Sequence, residues 1–552
     1  MKPGSLGKVR TGQLLTTFGP GSIVDLPDGG SYLVMGLDQW RPGERIDEPN
    51  LEHILRVPRL SAPSSDKTER DIPVTSFPRY HHCPTPTCGR LLEGAHCRHC
   101  NVTAPPARFI SLCKGGHLGD FPWSWWVHEG DATHTCDDLV LEDRSGSNSL
   151  SDLWVECRLT HERRSLRGAL EPRSFKVYAC PGGRPWLGDS DPNTCDRPVT
   201  GALRGASNVY FANTLSALSL PRHGSPLHVL LKDHWVTLEK LEDEQRLLIL
   251  PALLSGTKYT AEQGLKAFHD RLSVAADAAS LRAEEYEALA ADHTGGSLGP
   301  PAPYFEAANA AVPPAGAELF DMIVNVRRLR EVTALRGFTR LEGPDPEEPD
   351  SVTPAPISRA KPAWLPAREV FGEGIFFRLS DDSVARADGD PQVAMKMARI
   401  GAAYDAWRAE RKLQPEPKAV TAKRLLVHSL AHLLIRELSL VCGYGVSALR
   451  ERIYAGTEQQ GFLIYTASAD ADGSLGGLVR MGERSRLGPV ISAALESADW
   501  CSQDPLCGER PPDPGSHLSG AACHACLLLP ETSCELNNRF LDRSSVTTVA
   551  AK

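Results

Sequence analysis

The residues best suited to chemistry are the fifteen cysteines of this 552-residue chain. In HHCPTPTCGRLLEGAHCRHC, Cys83 and Cys88 form one pair, and Cys97 and Cys100 form a second pair after eight intervening residues. This is zinc-ribbon spacing, and four thiolates close a tetrahedron around Zn²⁺ with no position left for water. The spacing therefore predicts a structural zinc site, in preference to four unpaired buried thiols.

A second group of candidate ligands follows along the chain: Cys113, His117, Cys136, Cys157, His161, Cys180 and Cys195. We favour one set within it, made of Cys157, His161, Cys180 and Cys195. A CxxxH pair supplies two ligands from one turn, and the later cysteines lie in Gly/Pro-rich loops. Whether Cys113, His117 and Cys136 bind metal stays open, as does the alternative that several members are small buried hydrophobes.

Five cysteines crowd into 34 residues near the C-terminus: Cys501, Cys507, Cys523, Cys526 and Cys534. AACHAC provides a tight CxxC pair, Cys523 and Cys526, which we expect in any zinc site here. The other three compete for the two remaining positions. A redox role for the CxxC is disfavoured, because it lacks the surroundings that depress a thiol pKa.

Two histidines, His428 and His432, share one face of the predicted helix HSLAHLLIREL. The glutamate of HExxH is missing, so a metalloprotease is disfavoured, and the apolar neighbours favour core histidines with satisfied hydrogen bonds. In DADGSLGGLVRMG, Asp470 and Asp472 lack a base or third carboxylate at a recognisable spacing, so a loop is favoured over a catalytic pair. The chain contains no GxxxxGK[ST] motif, which argues against an intrinsic ATPase.

Charge gives only local support for DNA binding, because the net charge is -9. Two arginine-rich stretches, residues 158–173 and 327–340, are the candidate patches, against the alternative of solvated or internally paired faces. FPWSWW offers stacking side chains, although tryptophans more commonly pack in a core. The candidate DNA contacts are Lys114, Trp123, Trp125, Arg327, Arg328, Arg330, Arg336 and Arg340.

The elements that position these residues predict a multidomain α+β fold. Residues 1–80 form a small β-rich module and residues 81–214 a zinc-ribbon, Cys-rich region. Residues 215–341 form a helical domain, with helices expected over 239–254 and 260–292. Residues 342–366 are a proline-rich linker or extended arm. Residues 367–552 form an α/β zinc-binding domain, with helices over 393–412 and 420–440 before the buried strand GFLIYTA.

Localisation follows from what the sequence lacks. No run approaches the ~20 apolar residues of a membrane helix, and MKPGSLGKVRTGQLL has no signal-peptide apolar region. We expect a cytoplasmic protein with no membrane partner. In that reducing compartment clustered cysteines bind metal more readily than they form disulfides, so we expect two to four structural Zn²⁺ ions.

Several motifs carry a family resemblance. The C-terminal third, with HSLAHLLIREL, GFLIYTASADADGSLGGLV and a terminal CxxC, resembles the MrfA-type zinc-binding domain of certain DNA-repair helicases. RTGQLLTTFGPGSIVDLPDGGSYLVMGLDQW, CKGGHLGDFPWSWWVH, RGASNVYF and GEGIFFRL look like the DrmB subunits of DISARM phage-defence systems. The fifteen residues between Cys507 and Cys523 depart from the closer cysteine spacing of the helicase version.

The resemblance implies a partnership with DrmA, the helicase-like ATPase of these systems, in recognising or loading invading DNA. We therefore expect a non-catalytic, DNA-engaging accessory subunit that binds single-stranded or end-containing DNA in a heterodimer. One alternative is a structural platform that regulates the ATPase without touching DNA. Another is a zinc-dependent hydrolase or nuclease, disfavoured because catalytic zinc needs an open position and a general base.

Overall fold

The structure is a computed structural model. It describes residues 4–5, 9–64, 72–129, 136–146, 149–220, 226–231, 234–272, 274–293, 304–345, 352–411, 413, 420–466, 476–513 and 518–550. Asp470 and Asp472, considered above as a carboxylate pair, lie outside these ranges.

The described chain contains strands and helices in mixed order, which confirms the α+β class. The strands are β1 (Gly4–Ser5), β2 (Ile23–Asp25), β3 (Ser31–Val34), β4 (Pro42–Ile46), β5 (Leu60–Pro63), β6 (Pro73–Ser76), β7 (Tyr80–His82), β8 (Arg90–Glu93), β9 (His96–Cys97), β10 (Val102–Thr103), β11 (Phe109–Cys113), β12 (Leu118–Asp120), β13 (Leu139–Asp143), β14 (Leu153–Cys157), β15 (Arg163–Ser165), β16 (Gly183–Arg184), β17 (Asp189–Ser190), β18 (Val199–Leu203), β19 (Phe211–Leu218), β20 (Phe305–Ala310), β21 (Phe320–Thr339), β22 (Leu365–Leu379), β23 (Leu449–Tyr454) and β24 (Gly461–Thr466). The helices are α1 (Thr11–Thr16), α2 (Pro49–Ile54), α3 (Trp123–Val127), α4 (Pro226–Leu231), α5 (Trp235–Leu238), α6 (Asp243–Leu253), α7 (Ala261–Leu272), α8 (Ala278–Leu289), α9 (Asp381–Gly389), α10 (Pro391–Glu410), α11 (Ala422–Cys442), α12 (Gly477–Met481), α13 (Arg484–Ala498), α14 (Leu506–Glu509) and α15 (Arg543–Ala550).

The chain forms two compact units, each assembled from separated segments. Unit 1 contains residues 1–46, 57–215 and 333–368, and unit 2 contains residues 47–56, 216–332 and 369–552. The expected modules followed one another along the chain, whereas each observed unit combines three segments. Within unit 1, the described part of the proline-rich arm has no helix and enters strand β22 only at Leu365, and its Ala355, Ile357 and Trp364 side chains are buried.

Unit 1 is built from small antiparallel sheets. Their strand orders are β1-β6-β3-β2, β12-β11-β18 and β15-β14-β13-β8-β7, with two-stranded ribbons β10-β9 and β16-β17. An aromatic cluster fills the space between elements, with Phe121 in contact with the rings of Phe109, Trp123, Trp126 and Phe175. These rings bury large apolar areas and fix the position of the loops that carry cysteines.

Arg340 lies at the centre of unit 1, not on its surface. Its guanidinium donates to three backbone carbonyls, those of Gly21 (2.8 Å), Gly116 (2.9 Å) and Val209 (2.7 Å). Burial lowers the pKa of this arginine to about 9. The side chain therefore connects three distant stretches of unit 1 through backbone oxygens that would otherwise lack donors.

Unit 2 has a helical first half, as predicted, followed by long strands. Helices α6, α7 and α8 lie within the two segments expected to be helical, 239–254 and 260–292, but are shorter; α7 ends at Leu272 and α8 begins at Ala278. The chain then enters β20 and β21, so residues 327–339 of the arginine-rich stretch lie in a strand and not in a helix. β-Branched residues such as Val324, Val326 and Val332 explain the difference, because they favour a pleated, half-buried strand.

The C-terminal part of unit 2 packs helices on the antiparallel strands β22, β24 and β23. Helix α11 begins after Thr421, whose side chain accepts a hydrogen bond from Arg424 N, and ends at Gly443 in the left-handed conformation. Predicted helices 393–412 and 420–440 and the predicted strand GFLIYTA are confirmed to within about two residues as α10, α11 and β24. Fourteen residues of α11 are buried, against β23, β24, α13 and α15 among others.

Helix α11 is also relevant to the expectation that the chain has no membrane-spanning helix. It is the one helix in the described ranges that is long and apolar enough to cross a membrane, and we expected none from sequence. Of its most apolar window, 72% is buried inside the protein. Core helices of globular domains pass the same length and composition test, and the burial of α11 is that of a core helix.

A buried ionic network also holds unit 2 together. Arg452 lies in β23 with 2% of its side chain exposed, and its Nε donates to Glu285 Oε2 at 2.7 Å. Arg452 also lies 3.6 Å from Glu331, which accepts hydrogen bonds from Arg450 Nη1 (3.1 Å) and Tyr465 Oη (3.0 Å). Every strong donor of this network meets an acceptor, which is the condition under which buried charges are tolerated.

Glu48 gives unit 2 a pH-dependent stability. Burial raises the pKa of this carboxyl to about 7, although Arg330 at 3.6 Å and the Ser219 hydroxyl at 2.6 Å favour its charged form. Folding therefore retains a proton here that the unfolded chain has lost above pH 4.5. We expect the contribution of Glu48 to be full below pH 4.5 and lost as pH rises through about 7, a change of about 3 kcal/mol in the free energy of unfolding.

Denaturant unfolding of the Glu48→Gln variant between pH 4.5 and 8 measures this effect. The stability of the variant relative to the parent chain should rise with pH across that window. Glu318→Gln is the matched control, because the Glu318 side chain is 76% exposed and its removal should give no slope. Parallel pH profiles for Glu48→Gln and the parent chain would contradict the assignment.

Candidate metal centres

The first candidate centre, the ribbon site, contains Cys83, Cys88, Cys97 and Cys100. Their sulfur atoms all lie within 4.8 Å of one another, and Cys88 Sγ is 3.9 Å from Cys97 Sγ. A Zn–S bond of about 2.3 Å places the sulfurs of a tetrahedron about 3.8 Å apart, so this spacing fits Zn²⁺. Gly89 makes the first turn possible, because its φ is +56° and a Cβ would lie 2.7 Å from Leu141 O.

The ribbon site has almost no apolar core of its own. Its buried residues are three of the cysteines, with only Leu92, Val102 and Cys100 packed beside them. So few side chains bury too little apolar area to order a loop of this length. A cation bound by the four cysteines would supply the missing folding free energy, which is the role of zinc in small ribbons.

The second candidate centre, the loop site, contains Cys113, His117, Cys180 and Cys195. Cys113 Sγ lies 3.6 Å from Cys180 Sγ and 3.9 Å from Cys195 Sγ, and His117 Nδ1 is 3.5 Å from the sulfurs of both Cys113 and Cys180. These are the spacings of a tetrahedral S₃N set. Cys113 ends β11, and Gly116, with a φ of +84°, turns the chain so that His117 faces it.

Two further features prepare the loop site for a cation. His117 Nε2 lies 3.3 Å from Asp191 Oδ2, the carboxylate–histidine arrangement that orients metal-binding imidazoles. Hydrogen bonds from the Cys180 thiol and from His117 lower the pKa of Cys113 to about 4. A thiolate, the form that binds metal, is therefore present at neutral pH.

The structure corrects the ligand set that we favoured from sequence. Cys180 and Cys195 do lie together, but Cys113 and His117 complete their group, and Cys157 and His161 lie elsewhere. Cys157 is buried at the end of β14, where it forms a disulfide with Cys136 beside His128. The His161 side chain is 82% exposed. Both candidate pairs had CxxxH spacing, and the tight Gly-Gly turn of CKGGH is the signal that distinguishes the correct one.

The third candidate centre, the terminal site, contains Cys501, Cys507, Cys523 and Cys526. Its sulfur separations are 3.5 Å (501–523), 3.7 Å (507–526) and 3.7 Å (523–526), again those of a tetrahedron around Zn²⁺. Asp504 organises the first loop by accepting from Cys501 N and Gly508 N, and Arg543 holds the Asp504 carboxylate at 2.6 Å. Two loops are thus brought together around four thiols.

Cys534, the fifth terminal candidate, does not belong to the terminal site. It lies against His428 Nε2 at 3.3 Å, together with His432 and Glu451. A cysteine eight residues beyond a CxxC pair can be carried away by the intervening chain, here a turn over Pro530–Cys534. The two histidines are fully buried in α11, as favoured from sequence, but they face a carboxylate and a thiol.

The candidate DNA contacts separate into buried and exposed groups. Trp123 is 1% exposed, Arg330 2% and Arg340 1%, and Arg336 Nε donates to Asn213 Oδ1 at 2.7 Å. Trp123, Arg330 and Arg340 point into the fold, so their predicted role in DNA contact is corrected. Arg336 is only partly buried, but its guanidinium is bonded to an internal acceptor. Trp123 belongs to the aromatic core, and the three arginines satisfy internal acceptors.

Four candidates keep accessible side chains. Lys114 is 47% exposed and pairs with Glu342, and Trp125 is half-buried at the wall of a groove of about 960 Å³ in unit 1. Arg327 and Arg328 are exposed side by side on β21. Consecutive strand residues normally face opposite ways, but a β-bulge between Glu306 and Ala307 of β20 breaks the alternation opposite them.

Comparisons with known proteins agree with a zinc-binding role for the terminal site. Residues 430–527, which include the four cysteines of the terminal site, match the MrfA Zn-binding domain, and residues 10–211 match a family described as Domain of unknown function (DUF8724). The chain is 33% identical to the DISARM protein DrmB of Bacillus paralicheniformis over 553 residues, which cover 93% of this chain and 96% of the relative. The chain therefore belongs to the DrmB family of DISARM proteins.

Proposed function

We propose that this chain is a zinc-organised, non-catalytic subunit of a DISARM defence complex that engages invading DNA beside a helicase-like ATPase of the DrmA type. The observation that carries the proposal is the likeness to a DISARM protein DrmB over nearly the whole of both chains. The heterodimeric partnership, the preference for single-stranded or end-containing DNA and a cytoplasmic location complete the proposal.

The chemistry of the three cysteine-rich centres supports a structural role. Each centre supplies four sulfur or nitrogen donors, which fill the four positions of tetrahedral structural zinc and leave no open position for a water nucleophile. We propose one Zn²⁺ in the ribbon site, one in the loop site and one in the terminal site. Hydrolytic or nuclease chemistry at these centres is disfavoured, because an ion held by four protein ligands activates no water.

Arg327 and Arg328 are the proposed DNA contacts of unit 2. Arg327 has 60% of its side chain exposed, and its ion pair with Glu306 is long, at 3.6 Å. Exposed pairs of this kind contribute little, so phosphate can displace the carboxylate. For unit 1 we propose Lys114 and Trp125, a cation and a ring on which a base can stack.

Removing two charges tests the proposal. Arg327→Ala/Arg328→Ala should weaken binding to overhang-bearing DNA on the order of tenfold and reduce the slope of log affinity against log salt by about 2, since each lost phosphate contact releases one counterion fewer. Fluorescence anisotropy of labelled DNA over a salt series measures both quantities, with and without the partner ATPase.

Lys240→Ala/Lys258→Ala is the matched control, because both lysines are exposed in unit 2 and the net charge changes equally. The control should keep the parent salt slope. If both variants shift binding alike, a general field effect replaces the proposed contact. If DNA affinity is unchanged but ATP turnover by the partner falls, the chain is a regulatory platform and the DNA role is refuted.

A further inference from the structure

We propose a fourth metal centre in the interior of unit 2, the core site, made of His428, His432, Glu451 and Cys534. It differs from the three cysteine-rich centres in its donors, two imidazole nitrogens, one carboxylate oxygen and one thiolate. The chemical class of its occupant is a borderline divalent cation, with Zn²⁺ as the best match to this mixed set.

The four donors converge within the distances of one coordination sphere. His428 Nε2 lies 3.0 Å from Glu451 Oε1 and 3.3 Å from Cys534 Sγ, and His432 Nε2 lies 3.4 Å from the same carboxylate oxygen. One ligand atom from each residue lies within 4.8 Å of the other three. Tetrahedral Zn²⁺ with bonds of about 2.0–2.3 Å separates its ligands by about 3.3–3.8 Å, so little adjustment is needed.

The hydrogen-bond pattern around His432 leaves a lone pair aimed at the centre. His432 Nδ1 lies 2.8 Å from Leu527 O, and a carbonyl oxygen can only accept, so Nδ1 carries the proton. His432 Nε2 faces both carboxylate oxygens of Glu451, at 3.4 and 3.3 Å, so a cation bound between them would accept a lone pair from the ring and from the carboxylate. The Leu527 carbonyl is then the hydrogen-bond partner that orients a metal-binding histidine.

Burial makes this arrangement costly without a cation. His428 and His432 are 0% exposed, Glu451 4% and Cys534 5%. Glu451 Oε1 also accepts from Glu535 N at 3.1 Å, and Cys534 Sγ accepts from Asn538 N at 3.1 Å, so backbone donors already orient both anionic ligands. Within the described part of the chain, Glu451 Oε2 receives no hydrogen bond. An orphaned buried carboxylate oxygen is expensive, and coordination satisfies it.

The core site joins elements that are distant along the chain. Both histidines lie one turn apart on α11, Glu451 lies on β23, and Cys534 lies in the irregular segment that follows the terminal site. An ion here fastens that segment, which carries Leu527 and Asn538, to the core of unit 2. It therefore couples the geometry of the C-terminal loops to helix α11.

The difference in metal content between full-length variants tests the core site. Cys534→Ala and His428→Ala should each lose one zinc equivalent relative to the parent chain, measured by elemental analysis and native mass spectrometry. Cys442→Ala is the matched control, since Cys442 is the cysteine of α11 outside every donor group in the described residues, and it should lose none. Because the readout is a difference, it holds whether or not the three cysteine-rich centres are filled.

A second measurement covers variants that fail to fold. The parent chain substituted with ¹¹³Cd²⁺ should show a resonance from a site with one sulfur ligand, well separated from those of the sulfur-rich sites. That resonance supports the core site, and its absence from a folded, cadmium-loaded chain overturns it. Folded Cys534→Ala and His428→Ala variants with unchanged zinc content also overturn it, and the four groups are then a hydrogen-bonded ionic cluster.

Discussion

Substitution of Cys113 by serine is expected to release one zinc ion and to unfold the loop site together with the strands that carry it. Serine removes the thiolate that anchors the group, and β11 loses its connection to the loops of Cys180 and Cys195. Structural zinc contributes on the order of 10 kcal/mol to the folding of small metal modules, so the loss should greatly lower the yield of folded chain. Zinc content and thermal unfolding of the full-length protein measure the effect.

Cys442→Ser is the appropriate comparison for this prediction. Cys442 is partly exposed at the end of α11 and lies outside the donor groups found in the described residues. Its replacement should leave zinc content unchanged and cost less than about 1 kcal/mol. A Cys113→Ser protein that keeps its zinc and its thermal midpoint would show that the loop site is a cluster of packed thiols.

Arg452→Ala should lower the free energy of unfolding by about 3–5 kcal/mol, because it removes the guanidinium that two buried carboxylates share. Glu285 then retains Arg282 at 3.3 Å, and Glu331 retains Arg450 at 3.1 Å. Glu285 is 0% exposed and Glu331 3%, so water cannot replace the guanidinium. Tyr454 and Tyr465, whose hydroxyls lie against these carboxylates, would lose their positions as well. Denaturant unfolding of the full-length variant, followed by circular dichroism, gives the difference.

The surface offers a matched ion pair for comparison. Arg378 contacts Asp321 through two hydrogen bonds of 2.7 and 3.1 Å, with 29% and 38% of the two side chains exposed. Arg378→Ala should cost less than about 1 kcal/mol, since water solvates the freed carboxylate. Equal losses for the two arginine variants would mean that the buried network is no more important than a surface pair.

Local patterns in the sequence predicted much of this molecule. The ribbon site was predicted from four cysteines within eighteen residues, and α10, α11 and β24 were predicted from apolar periodicity. In both cases the residues that determine the feature are close together along the chain. The loop site required a partner for Cys113 that lies 82 residues away at Cys195. Spacing alone cannot select among such long-range combinations, and we combined Cys180 and Cys195 with the wrong CxxxH pair.

The prediction that the arginine-rich stretch contacts DNA was wrong for Arg330 and Arg340, and the reason is different. A run of basic residues predicts a solvent-facing surface, but Arg330 and Arg340 point inward to acceptors contributed by other segments. Arg330 meets Glu48 and Glu369, and Arg340 meets three backbone carbonyls. Only the bulge beside Arg327 and Arg328 turns two consecutive arginines outward. Tertiary pairing, which one sequence does not reveal, decides which member of such a run is buried.

The segments of the two units alternate along the chain, so the order of synthesis determines when each unit can be completed. Residues 333–368 complete unit 1, but 117 residues of unit 2, 216–332, leave the ribosome before them. At roughly 5–20 residues per second, the first segments wait about 6–23 s for their last partner. The proposed zinc binding by the ribbon site can proceed in that interval, whereas Arg340 reaches its three carbonyls only afterwards. A truncation that ends before residue 368 will therefore yield an incomplete unit 1. Fragments for binding studies must retain the two long strands β21 and β22.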